Sequence, residues 1–151
     1  MKIIISSVVI MLYLLGFTSH ATLKITPPLT YEKLEFIGKN NTTDIYIIKG
    51  SESLYNNNPD LRQVSILFNE LEPFELGEDN ILVSSQINTY VISCKLPEFL
   101  AYEAYLYEDN FGKGKVVYAF QSDDWQTMVE QENILTTIKE ILCEKDISTF
   151  N

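Results

Sequence analysis

The residues that could carry chemistry are one histidine (His20), two cysteines (Cys94 and Cys143) and several grouped acids. Ser-His-Asp and Cys-His catalysis each need an imidazole to accept the proton of the nucleophile. His20 lies at the end of an export-type segment, so cleavage of that segment removes the base. Histidine-ligated zinc and a histidine pH switch go with it. Asp123-Asp124 is an adjacent acid pair. Glycoside hydrolysis needs two carboxyl groups facing each other across a cleft, whereas neighbours in a turn diverge. The pair better suits capping of backbone amides before Trp125. Glu70, Glu72, Glu75, Glu78 and Asp79 are dense enough to suggest calcium. They lack the spacing of an EF-hand and read as a solvated acidic loop. Gly112-Lys113-Gly114 lacks the spacing and following helix of a phosphate-binding loop and reads as a hairpin turn. Asn40-Asn41-Thr42-Thr43 holds two overlapping glycosylation sequons and reads as a turn. Trp125 could be a ligand platform, but a lone tryptophan reads first as a core anchor. No catalytic residue, metal site or cofactor is expected.

Residues 1–21 explain the status of His20. Met1-Lys2 is followed by an apolar run from Ile3 to Leu15 and a small-residue end, with Ser19 and Ala21 at −3 and −1 of a cut. This is the layout of a secretory signal peptide, and the apolar run is short for a spanning helix. Cutting after Ala21 leaves 130 residues and takes the formal charge from −10 to −11. That acidity excludes a nucleic-acid partner, because phosphate neutralisation needs a basic surface. No membrane span is expected after cleavage. In an exported chain an even pair of cysteines reads as one disulfide, Cys94 to Cys143. Its rivals are two buried free thiols or an intermolecular bridge.

The elements that must position these residues are strands first and a helix last. An extended leader over 22–30 with Pro27-Pro28 precedes a single domain, 31–151. Residues 31–37 and 44–49 read as a hairpin around Gly38–Asn41. Residues 51–60 are a polar loop. A third strand over 63–71 places Val64, Ile66 and Phe68 on one face. The acidic loop spans 72–80, and a strand over 81–94 is interrupted near Asn88. Residues 100–107 alternate, with Leu100, Tyr102, Ala104 and Leu106 on one face and Glu103, Tyr105 and Tyr107 on the other. After a turn at 109–114, residues 115–120 return as a strand. Ile134, Leu135, Ile138, Ile141 and Leu142 then form one apolar stripe of an amphipathic helix. The expected fold is α+β: a curled antiparallel sheet of about six strands, a C-terminal helix on one face, and one disulfide.

The stretch from Tyr90 to Cys143 resembles the surface-adhesin protein E-like family of exported bacterial proteins. The matching residues are Tyr90-Val91-Ile92-Ser93-Cys94, Tyr105-Leu106-Tyr107, Gly112-Lys113-Gly114-Lys115-Val116-Val117, Trp125 and the closing Ile141-Leu142-Cys143. Upstream, Asp44-Ile45-Tyr46-Ile47 with Ser51-Glu52-Ser53-Leu54 looks like the family's early segment. The resemblance implies a sheet-plus-helix domain in the periplasm, on the surface or secreted, with adhesion to host extracellular-matrix proteins. It brings no catalytic residues. This chain lacks the cysteine that would follow the signal in a lipid-anchored member.

The expected function is therefore an exported, non-enzymatic protein that binds a protein partner, a host matrix or serum protein among the candidates. The alternatives are a structural envelope component and a small carboxylate-dependent hydrolase. The helix stripe must bury itself, and its expected seat is the Leu100, Tyr102, Ala104, Leu106 face. Tyr105 and Tyr107 on the opposite face are then the candidate partner-binding residues, because tyrosine joins a large apolar body to a polar tip.

Overall fold

The computed structural model describes residues 31–129 and 134–149. The expected signal and leader lie outside those residues. Six strands form the body of one open, curled sheet: β1 (Leu34–Lys39), β2 (Thr43–Ile48), β4 (Leu61–Leu76), β5 (Ile81–Ser93), β6 (Glu98–Tyr107) and β7 (Val116–Gln121). They lie side by side in that order and every pairing is antiparallel. Two short strands complete it. β3 (Ser53–Leu54) pairs with the start of β4, and β8 (Trp125–Thr127) pairs with the start of β6. The helix α1 (Ile134–Glu144) crosses one face.

Local chemistry accounts for the turns. Asn40 Oδ1 accepts the amides of Thr42 and Thr43 at 2.9 and 2.8 Å, which reverses the chain between β1 and β2. Gly77 and Asn80 adopt φ of 69° and 51° and close the β4–β5 hairpin. The acidic segment expected as a loop over 72–80 is thus mostly strand, since β4 runs on to Leu76 and β5 starts at Ile81. Pro73 is the reason for the misreading. The pairing register slips between Asn69 and Phe74, so Pro73 falls in an irregular stretch where its missing N–H breaks no ladder bond. The interruption expected near Asn88 is also absent, and β5 is continuous.

The main core lies between sheet and helix. Leu135, Ile138 and Leu142, at i, i+3 and i+7, bury against Ile45, Ile47, Val64, Ile66 and Ile92, with Tyr90 and Phe99 at the margin. Ile138 and Leu142 are wholly buried, and each contributes about 1.5–3 kcal/mol on area grounds. Two further ties hold the helix. Lys139 and Cys143 lie four residues apart on one helix face. Lys139 Nζ donates to Leu96 O at 2.8 Å, and Cys143 is bonded to Cys94 with Cα atoms 5.6 Å apart. Both ties therefore land on the β5–β6 turn. At the helix end Lys145 pairs with Glu52 at 2.6 Å.

The helix does not sit where residues 100–107 suggested. Thr89 pairs with Glu103 but Tyr90 pairs with Ala101, so Tyr102 is an extra residue in β6. A one-residue bulge moves everything beyond it to the other face. Phe99 lies under the helix beside Ile92, while Leu100 points away with Val91. Past the bulge, Ala104 and Leu106 return to the helix side and form a second small cluster with Val83.

Candidate functional site

The sheet face turned away from the helix carries a row of side chains across all six body strands. Phe36 pairs with Tyr46, Tyr46 with Leu67, Leu67 with Ile87, Ile87 with Tyr105, and Tyr105 with Ala119. Directly paired residues point to the same face, so these six stand in line. Their face follows from their neighbours: Ile45 and Ile47 flank Tyr46, Ile66 precedes Leu67, and all three isoleucines lie in the helix-side core. Leu67 is wholly buried, Tyr46, Ile87 and Tyr105 are half-buried, and Phe36 is 55% exposed. The Phe36 and Tyr46 rings meet edge-on at 5.5 Å.

On one side of this row the β6–β7 turn folds over the sheet. Asn110 Nδ2 lies within hydrogen-bond distance of Asn69 Oδ1, Glu70 O and Ser84 O, at 3.1, 2.8 and 3.2 Å. The Phe111 amide donates to Asn69 Oδ1 and the Gly112 amide to Ser85 Oγ. These bonds hold Phe111 in a left-handed conformation, φ 60°, with its ring 6.2 Å from that of Tyr46. The turn occupies the next cross-strand row, where Asn69 pairs with Ser85 and Ser85 with Tyr107.

On the other side lies a polar row. Ser65 Oγ and Thr89 Oγ1 are 3.1 Å apart, and Thr89 Oγ1 donates to Glu103 Oε1 at 3.3 Å. Tyr105 Oη and Gln121 Nε2 donate to Glu103 Oε2 at 3.2 and 3.5 Å. Beyond it, Tyr55 and Tyr102 stand with ring centroids 5.8 Å apart. Burial, and then the Glu103 carboxylate, raise the Tyr105 phenol above its ordinary value of 10.0. It stays protonated near neutrality and acts there as a hydrogen-bond donor.

Tyr105 and Tyr107 do share the face opposite the helix, but their settings differ. Tyr105 is half-buried within the open row. Tyr107 is only 9% exposed, beside the Asn110–Gly112 turn, so its ring has little surface to offer a partner. Trp125, expected in the core, is 42% exposed, paired with Leu100 on this face at the sheet margin. Its strand is three residues long and pairs on one side only, with β6. Gly112-Lys113-Gly114 is the expected turn, with both glycines at positive φ. At Asp123-Asp124 the cap is Ser122, whose Oγ accepts the Asp124 amide at 3.1 Å. Of the clustered acids, Glu70 is buried and accepts from Thr43 Oγ1 at 2.7 Å. Among the described residues no three His, Cys, Asp or Glu side chains gather as a metal-binding set. Phe36, Tyr46, Leu67 and Ile87 were not singled out as site residues from the sequence. Their alignment with Tyr105 exists only through four strand registers.

The profile of the surface-adhesin protein E family matches residues 34–144, which span the sheet and the helix. The chain belongs to this family. Among solved structures, Haemophilus influenzae protein E superimposes with a TM-score of 0.59 at 15% identity, covering 83% of this chain and 94% of that one. Its second crystal form gives 0.57 at 14% identity, covering 78% and 91%. Protein E from a non-typeable strain gives 0.56 at 14% identity, covering 78% and 79%. At these identities the likeness concerns the fold. No curated protein matches the sequence significantly. Among the described residues no helix is long and apolar enough to cross a membrane.

Proposed function

We propose that this chain is an exported, non-enzymatic adhesin that captures a protein partner, a host extracellular-matrix or serum protein in the first instance, on the sheet face turned from the helix. The observation that carries this reading is the row Phe36, Tyr46, Ile87 and Tyr105, aligned on either side of the wholly buried Leu67. Aromatic side chains on a paired, disulfide-braced sheet lose little conformational freedom on binding, and such rigid anchors dominate interface energetics. The polar row beside it is hydrogen-bonded within the chain and holds Glu103 and Tyr105 in place. Family membership supports adhesion and a place at the cell surface. Tyr105 serves as an anchor, and Tyr107 supports the face from beneath the turn.

The test is capture of oxidised protein, residues 22–151, on immobilised matrix and serum proteins and on the cell's own envelope fraction. Phe36→Ser and Tyr105→Ser should each weaken capture about 10-fold or more while leaving the thermal midpoint within a few degrees. Capture untouched by both variants would sink the proposed face. A large fall in the midpoint for Tyr105→Ser would place its ring in the core instead.

A further inference from the structure

Glu103 stands in the polar row of the face turned from the helix with its charge unanswered. Among the described residues no Lys or Arg lies within ion-pair distance of it. Its hydrogen-bonding capacity, by contrast, is nearly used. An ionised carboxylate offers about four acceptor sites, shared equally by its two oxygens. Tyr105 Oη and Gln121 Nε2 take the sites on Oε2, and Thr89 Oγ1 takes one on Oε1. A guanidinium fork needs a free site on each oxygen, so it does not fit. An ammonium of the lysine kind gives up water on three donors and finds a single acceptor here. The cation that fits carries charge and no N–H.

Tyrosine rings flank this carboxylate. Tyr105 is bonded to it, and Tyr102 precedes it in β6. The Tyr102 phenol acts electrostatically on that of Tyr105, which puts both rings on the face of Glu103. Tyr55, after β3, reaches Tyr102 with the two ring planes at 66°. Rings at such an angle make a corner, and all three tyrosines are half-buried, so part of each stays open to solvent. The floor beside them is closed, with Val91 and Leu100 paired and 0% and 2% exposed. The face of an aromatic ring attracts a cation through its quadrupole, most where water is partly excluded. After burial, the Glu103 charge is the next cause that raises the Tyr105 and Tyr107 phenols, which marks negative potential at this place.

We propose that Glu103, Tyr102, Tyr55 and Tyr105 form a site for a quaternary ammonium group, and that this group is the choline headgroup of a phosphatidylcholine surface. The ammonium is the outermost group of that headgroup, and the headgroup carries no net charge. A chain at −10 therefore meets none of the repulsion that an anionic surface would raise. The inference goes beyond protein capture and does not rest on it: the site lies beside the Phe36–Tyr105 row and shares only Tyr105 with it.

Titration of the oxidised protein with choline chloride, followed by amide NMR, tests this. Amides of residues 102–105 and 121 should shift and saturate, with a dissociation constant of about 1–30 mM. Ethanolamine and arginine amide should bind at least about 5-fold more weakly, since each brings N–H groups that the site leaves unsatisfied. Glu103→Gln and Tyr102→Ala should each weaken choline about 5-fold or more, whereas Tyr102→Phe keeps the ring and the affinity to within about 2-fold. Phe36→Ser, which strikes the protein-capture row, should leave choline binding unchanged. Phosphatidylcholine vesicles at about 10 mM lipid should carry the protein in flotation, free choline should release it, and phosphatidylglycerol vesicles should leave it behind. The absence of a saturable choline shift overturns the proposal, as does ethanolamine or arginine amide binding as tightly as choline. Parent-like choline binding by Glu103→Gln overturns it too, and this variant keeps the size and shape of the side chain should Tyr102→Ala fail to fold. Saturable choline binding without capture by the vesicles overturns the headgroup as its source.

Discussion

Replacing Cys143 with serine removes a crosslink that closes a loop of 49 residues. On the chain-entropy relation, such a loop restricts the unfolded chain by about 14 cal/mol/K, or about 4 kcal/mol at room temperature. The folded state loses comparatively little. Ile138 and Leu142 stay seated by burial, and Lys139 still reaches Leu96 O. For a domain of about 120 residues the unfolding entropy is about 250 cal/mol/K, so the thermal midpoint should fall by about 15 °C. Cys94→Ser should match it, and the double variant should equal either single, because all three delete the same bond. Calorimetry and urea unfolding on the three variants, beside the oxidised and reduced parent, give the comparison. Singles that differ by more than about 1.5 kcal/mol, or a double variant worse than both, would refute the crosslink account and point to local packing at each site. A midpoint within a few degrees of the parent's would refute the entropy estimate itself.

Asn110→Ala removes the amide that bridges Asn69, Glu70 and Ser84, and should destabilise by about 1–2 kcal/mol in urea unfolding, with faster exchange at the Phe111 and Gly112 amides. On the acid side, burial disfavours the charged Glu52 carboxylate, but Lys145 and nearby amides outweigh it and hold its pKa below the ordinary value of 4.5. A lowered folded value gives stability that is present above 4.5 and is lost as pH falls through the folded value. Glu52→Gln should therefore flatten that part of the stability profile and lower stability at pH 7 by about 1 kcal/mol or less. On the alkaline side, burial raises the Tyr90, Tyr105 and Tyr107 phenols, helped by Glu103 for the last two. A raised folded value gives stability that is full below 10.0 and fades as pH climbs through the folded values. Tyr107→Phe should reduce that alkaline loss, read as the unfolding free energy across the alkaline range.

The sequence by itself marked the six body strands, the closing helix and their order, and pointed to a bridge between its two cysteines. Alternation around Val64-Ile66-Phe68 specified a strand, because a period of two exposes and buries successive side chains, and the β-formers of Asp44–Lys49 specified another. The stripe Leu135, Ile138, Leu142 specified a helix with one apolar side, and two cysteines in an export-type chain favoured a bridge over free thiols. Each of these is local or combinatorial, so no register is needed to read it. What only the tertiary structure decided is which face each strand residue joins. The extra residue at Tyr102 sends Leu100 and Leu106 to opposite faces, although they alternate in phase along the chain. The irregular stretch around Pro73 turns an apparent loop into a strand. Trp125 remains exposed because its short strand has a partner on one side only. The row from Phe36 to Tyr105 spans about 70 residues of chain and exists only once four registers are set together. Register is a non-local balance of side-chain packing against loop closure, and a single added residue reverses its outcome.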